Sequence, residues 1–513
     1  MLPAATQRPQ AAAPLRVPSR LQGLLDRRVD VIGVGSVEGG EMAHFLLAAG
    51  FTRVVGHDLS PDLPELAKAH RLAHAGMGVE AAREHLEGLL AGLGELHLGE
   101  RYLQGIAESS LVLPTQAWFL HPRNRELHQL RERGVPFYSL IQAYLDLARG
   151  PVIGVTGSHG KSTTSALVAA GLRRAAIFPR VWLGGNDRHN QQALEEVARD
   201  GAGEGCLVLE ISNRQLLQAT SAPAIAAITN ITPNHLEEHG GMAGYVACKR
   251  RIFDLPGCRV AIRNADDPIS VGTGPLREGV AELRFAMSRA GLGDWDGAFL
   301  DQGQLFERRH GQEQAVLAVD SLRLRGDHNR ANALAAIAAC SALGDRTANS
   351  QEAIGEGISR FGTLAHRIQL IWQEQGVDYY DDLSSTTPQS TVAAIRAIAK
   401  PVTLICGGDD KGIPFDELVQ QLDGPVRRVL LLPGPGSDRI AEAANRRSLG
   451  GLVEPVASLE EAVTRAHRLS RPGSAVLLSP ACPGFFSAHY REGGYRNLVR
   501  RLSTSPRRRR EPG

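Results

Sequence analysis

The chain has 513 residues, more than one ordinary hydrophobic core accommodates, so two to four domains are expected. Its 43% hydrophobic and 22% charged residues are those of a soluble globular protein, and no apolar run approaches the roughly 20 residues that a bilayer span needs. A net charge of +2 excludes an electrostatic case for nucleic acid or a membrane surface as the main partner, and six scattered cysteines without a CxxC read as free buried thiols in a reducing compartment.

The first 26 residues lack the continuous apolar core of a secretory signal and carry Pro3, so a disordered leader is expected there. Residues 29–58 read as strand, glycine turn, helix and strand: VDVIGVGSVEGG, EMAHFLLAAGF and TRVVGHDLS. The turn with Gly35, followed by Asp58 at the end of the second strand, is a Rossmann-like nucleotide fingerprint suited to a UDP-sugar or a dinucleotide. Three residues rather than two separate Gly35 from Gly39, which displaces the third glycine. Residues 60–105 are helical in pattern, ESSLVLPTQAWF is a strand ending at Pro114, and HPRNRELHQLRERG is a helix ending at Gly134.

PVIGVTGSHGKSTTSALVAAGL, residues 151–172, is the strongest local signal: a buried strand, a glycine-bearing turn and a helix. Such a turn aims backbone N–H groups and a helix N-terminus at an anion. Gly157 and Gly160 lie three apart, so this is the short TGxxGK[ST] form rather than G-x-x-x-x-G-K-[ST]. Lys161 would reach the outer phosphates, and Ser162 or Thr163 would hold Mg²⁺.

Further along, IFPRVWLGGN places Asn186 at a strand end, and CLVLEISNRQL places Glu210 at the end of a buried strand, a position suited to Mg²⁺. AIAAITNI leads into a polar cluster of Asn230, Thr232 and His235, and then a helix carrying Tyr245 and Lys249. LRLRGDHNRANALAAIAAC opens a helix in which Asn329 and Asn332 share one face, to read an adenine or to cap the helix. A boundary is expected near 346–366, after which strands and helices alternate again. Asp382 and Lys411 stand at strand ends there, candidates for nucleotide and anionic substrate respectively. The tail SPRRRREPG reads as a solvated, disordered basic segment.

The ordered set TGSHGKST, EISNRQL, TNITPNHLEEH, YVACKRRIF, GDHNRAN, AHRIQL, YYDDLSSTTP, GGDDKG and LLSPAC resembles the Mur ligases, most closely the branch that adds glutamate to UDP-N-acetylmuramoyl-L-alanine. The resemblance covers residues 29–502. It implies an α/β protein of three domains in peptidoglycan precursor synthesis: a Rossmann-like UDP-substrate domain over 27–148, a central ATPase with a parallel sheet over 149–363, and a Rossmann-like domain over 364–504, followed by the tail 505–513. It further implies an ATP-dependent amide ligase that works through an acyl phosphate. Such an enzyme takes a UDP-linked muramoyl substrate and an amino acid, and is a cytoplasmic monomer.

By position, the resemblance gives the ATP phosphates to Gly157, Ser158, His159, Gly160, Lys161, Ser162 and Thr163, and the adenine to Asn329 and Asn332. It gives nucleotide contacts from the last domain to Arg367 and Asp382. Two Mg²⁺ ions fall to Ser162, Glu210, His235 and Lys249, with Lys249 carbamylated. Lys161, His235 and Lys249 are the implied catalytic groups, Lys411 lies near the incoming amino acid, and Gly35, Asp58 and Asn186 line the UDP-substrate cleft. The chain departs from the glutamate-adding pattern at both substrate ends. Ser384 stands where the family has a loop lysine, Asn234 where it has an aspartate, and Pro483 and Gly484 follow SPAC where a serine is usual. A different amino acid, such as L-glutamate, or a different acid is therefore the alternative. A scaffold without turnover is a more distant one, opposed by the retention of Lys161, Glu210, His235 and Lys249.

Overall fold

Short β-branched runs alternate with amphipathic helices from Val29 onward, the pattern of parallel sheets covered by helices. In the computed structural model these runs form three sheets in chain order. The residues described are 15–504, apart from 75–76, 187–192, 201–202, 345–347, 363, 411 and 485–493.

The first sheet contains β1 (Val29–Ile32), β2 (Val54–Asp58), β3 (Glu95–Leu98) and β4 (Leu111–Leu113), all parallel, in the order β3-β2-β1-β4. β1, β2 and β4 are buried throughout, whereas β3 is a polar edge strand. The helical reading of 60–105 is corrected at β3. ELHL has four residues and no buried position, so it carries neither the length nor the apolar signature of a central strand; the helices Leu63–Ala73 and Val79–Gly92 fill much of the preceding stretch.

The leader expected over 1–26 is also corrected, because residues 15–26 are placed against the body of the protein. Leu21 is buried within a 3₁₀ turn, Ser19–Leu24. The Arg16 guanidinium donates to the carbonyls of Leu147, Val197 and Asp200 at 2.7, 2.9 and 3.1 Å. Residues 1–14 and the tail 505–513 lie outside the described residues.

The central sheet has nine strands: β5 (Val152–Thr156), β6 (Val181–Gly185), β7 (Cys206–Glu210), β8 (Ile225–Ile228), β9 (Val260–Asn264), β10 (Ala281–Ala286), β11 (Gly297–Asp301), β12 (Gln304–Arg309) and β13 (Gln312–Ala318). Their order is β13-β12-β11-β10-β9-β8-β5-β7-β6, with only β12 and β13 antiparallel to their neighbours. β5 therefore lies between β7 and β8. The order reverses there, and α/β sheets bind ligands at the carboxyl ends of strands at such a point.

The third sheet holds β14 (Gln369–Glu374), β15 (Val377–Asp381), β16 (Val402–Cys406), β17 (Val426–Leu431), β18 (Val453–Pro455) and β19 (Ala475–Leu478). Its order is β14-β15-β19-β16-β17-β18, parallel except for β14. One hydrophobic cluster runs from Val29 and Phe45 through Tyr144 to Leu207 and Phe253, so the first and central sheets share a core. The third sheet keeps its own clusters on its two faces. All six cysteines are buried and free, and among the described residues no helix is long and apolar enough to cross a membrane.

Candidate active site

The turn after β5 needs its two glycines. Gly157 has φ +146°, and a Cβ there would lie 2.0 Å from Thr229 Oγ1; Gly160 has φ +83°, and a Cβ there would lie 2.2 Å from Asn332 Oδ1. The loop is fastened to the segment after β8: Ser158 N–H donates to Asn230 O at 2.8 Å and His159 N–H to Asn230 Oδ1 at 3.0 Å. Ser158 Oγ donates to Thr232 O at 2.9 Å and lies 3.1 Å from the Tyr245 hydroxyl. Gly160 then starts the helix Lys161–Ala175, whose first amides and partial positive charge face the same mouth. Lys161 Nζ folds back onto the carbonyls of Gly157 and Ser158, both at 3.1 Å. Burial holds its pKa below the ordinary lysine value, against the pull of Glu210.

Glu210 ends β7, buried beside β5, and accepts a hydrogen bond from Asn186 Nδ2 at 2.8 Å. His235 adopts a left-handed backbone, φ +54°, at the entrance of a short helix, and its Nδ1 lies 2.9 Å from Glu238 Oε1. Burial disfavours the Glu238 carboxylate, yet hydrogen bonds from Arg214 and His235 outweigh it and bring its pKa down to about 2. With Nδ1 held by a carboxylate, Nε2 is left to face a ligand, the arrangement that orients metal-binding histidines.

Lys249 is 1% exposed. Its Nζ donates to Thr156 Oγ1 at 3.2 Å and lies 5.3 Å from the Tyr245 ring centroid. Burial, reinforced by the charge of Lys161, drives its pKa well below the ordinary value. Thr232 Oγ1 and Asn234 Oδ1 are buried without a hydrogen-bond partner. Asn234 Oδ1, next to His235 on the cavity wall, is thus an unsatisfied oxygen, and with the carboxylate of Glu210, whose charge reaches Lys161 and Lys249, it suits a hard divalent cation, so the residues fit Mg²⁺.

The first sheet closes the other side of a cavity of about 710 Å³, whose walls include Gly35, Asp58, Gly157, Ser158, Lys161, Asn186, His235 and Lys249. The longer glycine turn still works as a close-approach turn. A Cβ on Gly39 would lie 2.2 Å from Gly33 O, so Gly39 takes the packing place of the third glycine despite the extra residue. Asp58 Oδ2 accepts from Gly35 N–H at 2.9 Å, and Oδ1 from the Ser60 amide and hydroxyl, so this carboxylate braces the turn.

Sequence reasoning passed over Gln116, which joins the two sheets across the cavity. Its amide N–H donates to Glu38, its side chain donates to Asn186 Oδ1 at 3.0 Å, and it accepts from Ser212 Oγ at 2.6 Å. The Thr115-Gln116 loop after Pro114 is the signal that would have located it.

From the third sheet, Arg367 Nη2 donates to Ser162 Oγ at 3.1 Å. Asp382 is buried behind it, accepting from Ile368 N–H and Ser479 Oγ, and burial pushes its pKa up to about 6. Asn329 and Asn332 stand on the helix Asp327–Ser341, linked by a 3.2 Å side-chain hydrogen bond, with Asn332 Oδ1 against Thr164 and Gly160. Thr163 is buried in the first turn of the phosphate helix. Lys411 and the residues after Gly484 up to 493 lie outside the described residues.

A phosphate-binding turn, a buried acid, a histidine and an arginine reaching in from the segment before β14 are the parts an ATP-dependent ligase needs. The profile of the Mur ligase middle domain matches residues 155–340, and that of the Mur ligase glutamate ligase domain matches residues 366–482. The chain is 35% identical over 488 residues to the UDP-N-acetylmuramoylalanine–D-glutamate ligase of Symbiobacterium thermophilum, covering 93% of this chain and 99% of that one. It is 31% identical to the enzyme of the same name from Pelotomaculum thermopropionicum, covering 90% and 94%. Among solved structures, a pseudomurein peptide ligase type C from Methanothermus fervidus superposes with a TM-score of 0.55 at 18% identity, over 93% of this chain and 100% of that one. A murein peptide ligase from Psychrobacter arcticus gives 0.55 at 17%, over 94% and 99%. The chain belongs to the Mur ligase family, whose members use ATP and Mg²⁺ and act on UDP-muramoyl substrates and an amino acid.

Proposed function

We propose that this chain joins D-glutamate to UDP-N-acetylmuramoyl-L-alanine, forming ADP and phosphate. The observation that carries this reading is the shared cavity: Lys161, His235 and Lys249 open onto the same space as the glycine turn of the first sheet. A phosphate cradle and a UDP-binding turn facing one cavity would bring the γ-phosphate of ATP to the carboxylate of a UDP-linked acid. The phosphoryl group passes to that carboxylate, the amine of the amino acid attacks the acyl carbon, and phosphate leaves. The chain supplies position and charge, the two requirements of phosphoryl and acyl transfer.

In this reading Gly157, Ser158, His159, Gly160, Lys161, Ser162 and Thr163 hold the phosphates, with Lys161 leaving its two carbonyls to meet them. Arg367 reaches the nucleotide from the opposite side, Asp382 fixes the segment that carries Arg367, and Asn329 with Asn332 supports the adenine. Glu210, His235, Ser162 and carbamylated Lys249 would hold two Mg²⁺ ions, whose charge would offset that of the phosphates. Carbamylation suits Lys249, because burial disfavours its charged form, and a neutral amine attacks CO₂, releasing a proton and leaving a carboxylate. Asn186 and the Gly35 turn seat the UDP substrate, Lys411 the amino acid. The working limits proposed for the three domains are 27–148, 149–363 and 364–504, and the protein acts as a cytoplasmic monomer.

The test is phosphate release from ATP. Release that requires both UDP-N-acetylmuramoyl-L-alanine and D-glutamate is expected, and Lys161→Ala should nearly abolish it. Release with the same acid but only with another amino acid would replace the D-glutamate assignment. Ser384, in place of a loop lysine, is the residue that motivates including L-glutamate in that screen.

A further inference from the structure

Three helices of the first sheet's layer place histidines together, away from the phosphate site. His44 lies on the helix Val37–Ala48, His70 near the end of Leu63–Ala73 with His74 at its C-cap, and His85 on Val79–Gly92. One ring nitrogen from each of His70, His74 and His85 lies within 4.8 Å of the others. We propose that His70, His74 and His85 bind one transition-metal ion of the zinc type, clamping the helices Leu63–Ala73 and Val79–Gly92 together.

The geometry and the chemistry agree. His70 Nε2 and His85 Nδ1 lie 3.0 Å apart, near the roughly 3.3 Å that separates two nitrogens on one tetrahedral ion with bonds of about 2.0–2.1 Å. His74 Nδ1 donates to the His70 carbonyl at 2.8 Å, which leaves the lone pair on Nε2, the tautomer a metal takes. His70 and His74 are fully buried, and the His70 and His74 rings stack at 3.8 Å.

The His44 ring lies 3.9 Å from that of His85, and its Nε2 is buried without a partner, a further donor beside the three. Two buried nitrogens of the cluster, His44 Nε2 and His70 Nδ1, have no hydrogen-bond partner, so its polar groups are incompletely satisfied by the protein alone. An all-imidazole set favours zinc, copper or nickel over Mg²⁺. The site is thus chemically distinct from the oxygen-rich corner at Glu210.

The experiment uses the full chain without a polyhistidine tag, and Co²⁺ and Zn²⁺ as probes. His235→Ala serves as the background, because His235, Glu237 and Glu238 form the other cluster able to hold a metal among the described residues. The expected result is uptake of one equivalent of Co²⁺ with the visible bands of tetrahedral nitrogen coordination, displaced by Zn²⁺ and unchanged in His235→Ala. Zn²⁺ should also raise the melting temperature. Both signals should vanish in His70→Gln. They should vanish too in His85→Asn, at a half-buried position where the change leaves the core intact. No uptake, or uptake that survives His85→Asn, or uptake that disappears with His235→Ala alone, would overturn the proposal.

Discussion

The guanidinium of Arg367 donates to the hydroxyl of Ser162 at 3.1 Å, across 205 positions of sequence. It brings a positive charge from the third sheet to the first turn of the phosphate helix. Removing a charge-assisted hydrogen bond of this kind costs about 1.5–3 kcal/mol. Arg367→Ala is therefore expected to lower kcat/KM for ATP by roughly ten- to a hundredfold, with partial recovery in Arg367→Lys. Steady-state rates at varied ATP measure this, and unchanged kinetics would place Arg367 outside the nucleotide site.

Lys249→Ala should all but eliminate turnover, and a short carboxylic acid such as acetate should restore part of it by standing in for the carbamate. The wild-type protein should lose activity in CO₂-free buffer and regain it with bicarbonate. Activity indifferent to both treatments would leave Lys249 as a packed side chain outside the reaction.

Glu238 acts through His235. Replacing it with alanine frees Nδ1 of the ring and strands the Arg214 guanidinium. The Mg²⁺ concentration for half-maximal turnover should rise by about 10- to 100-fold. A magnesium titration with saturating ATP measures the shift, and no shift would show that His235 needs no partner.

The buried Glu41 supplies a pH signature. Burial pushes its pKa up to about 8, and it accepts hydrogen bonds from the Tyr144 hydroxyl and the Leu194 amide. A folded-state value above the unfolded one, 4.5, gives stability that is whole below pH 4.5 and is lost as pH rises through about 8. Glu41→Gln keeps both acceptor contacts and removes the titration. The variant should be more stable than wild type at pH 9, by on the order of a few kcal/mol, and the gap should close towards pH 5. Parallel melting curves across that range would mean that Glu41 is ionised in the folded protein.

Much of this site was legible because its signals are local. The run from Val152 to Ala175 contains its own strand, turn and helix, and Gly157 and Gly160 occupy the backbone space that only glycine fills. What the sequence hid is tertiary. Gln116 meets Asn186 across 70 positions and Ser212 across 96. β3 escaped for a different reason: as an edge strand with no buried position, it lacks the apolar run by which a buried strand is recognised. The histidines of the first layer come from three helices, and no spacing in the chain announces their meeting.

Arg16 leaves one more mark on the molecule. Its side chain gathers the final carbonyls of two helices, Leu140–Leu147 and Ala193–Arg199, at the seam where the first and central sheets share their apolar interior. A cation at two negative helix termini acts as a rivet. Those two sheets are therefore joined twice, by the rivet and by common hydrophobic filling, whereas the third sheet has an interior of its own. Any hinge that admits nucleotide and releases product then falls between the second and third sheets, and a fluorescent pair spanning residues 40 and 180 would stay silent through a turnover that a pair spanning 180 and 440 reports.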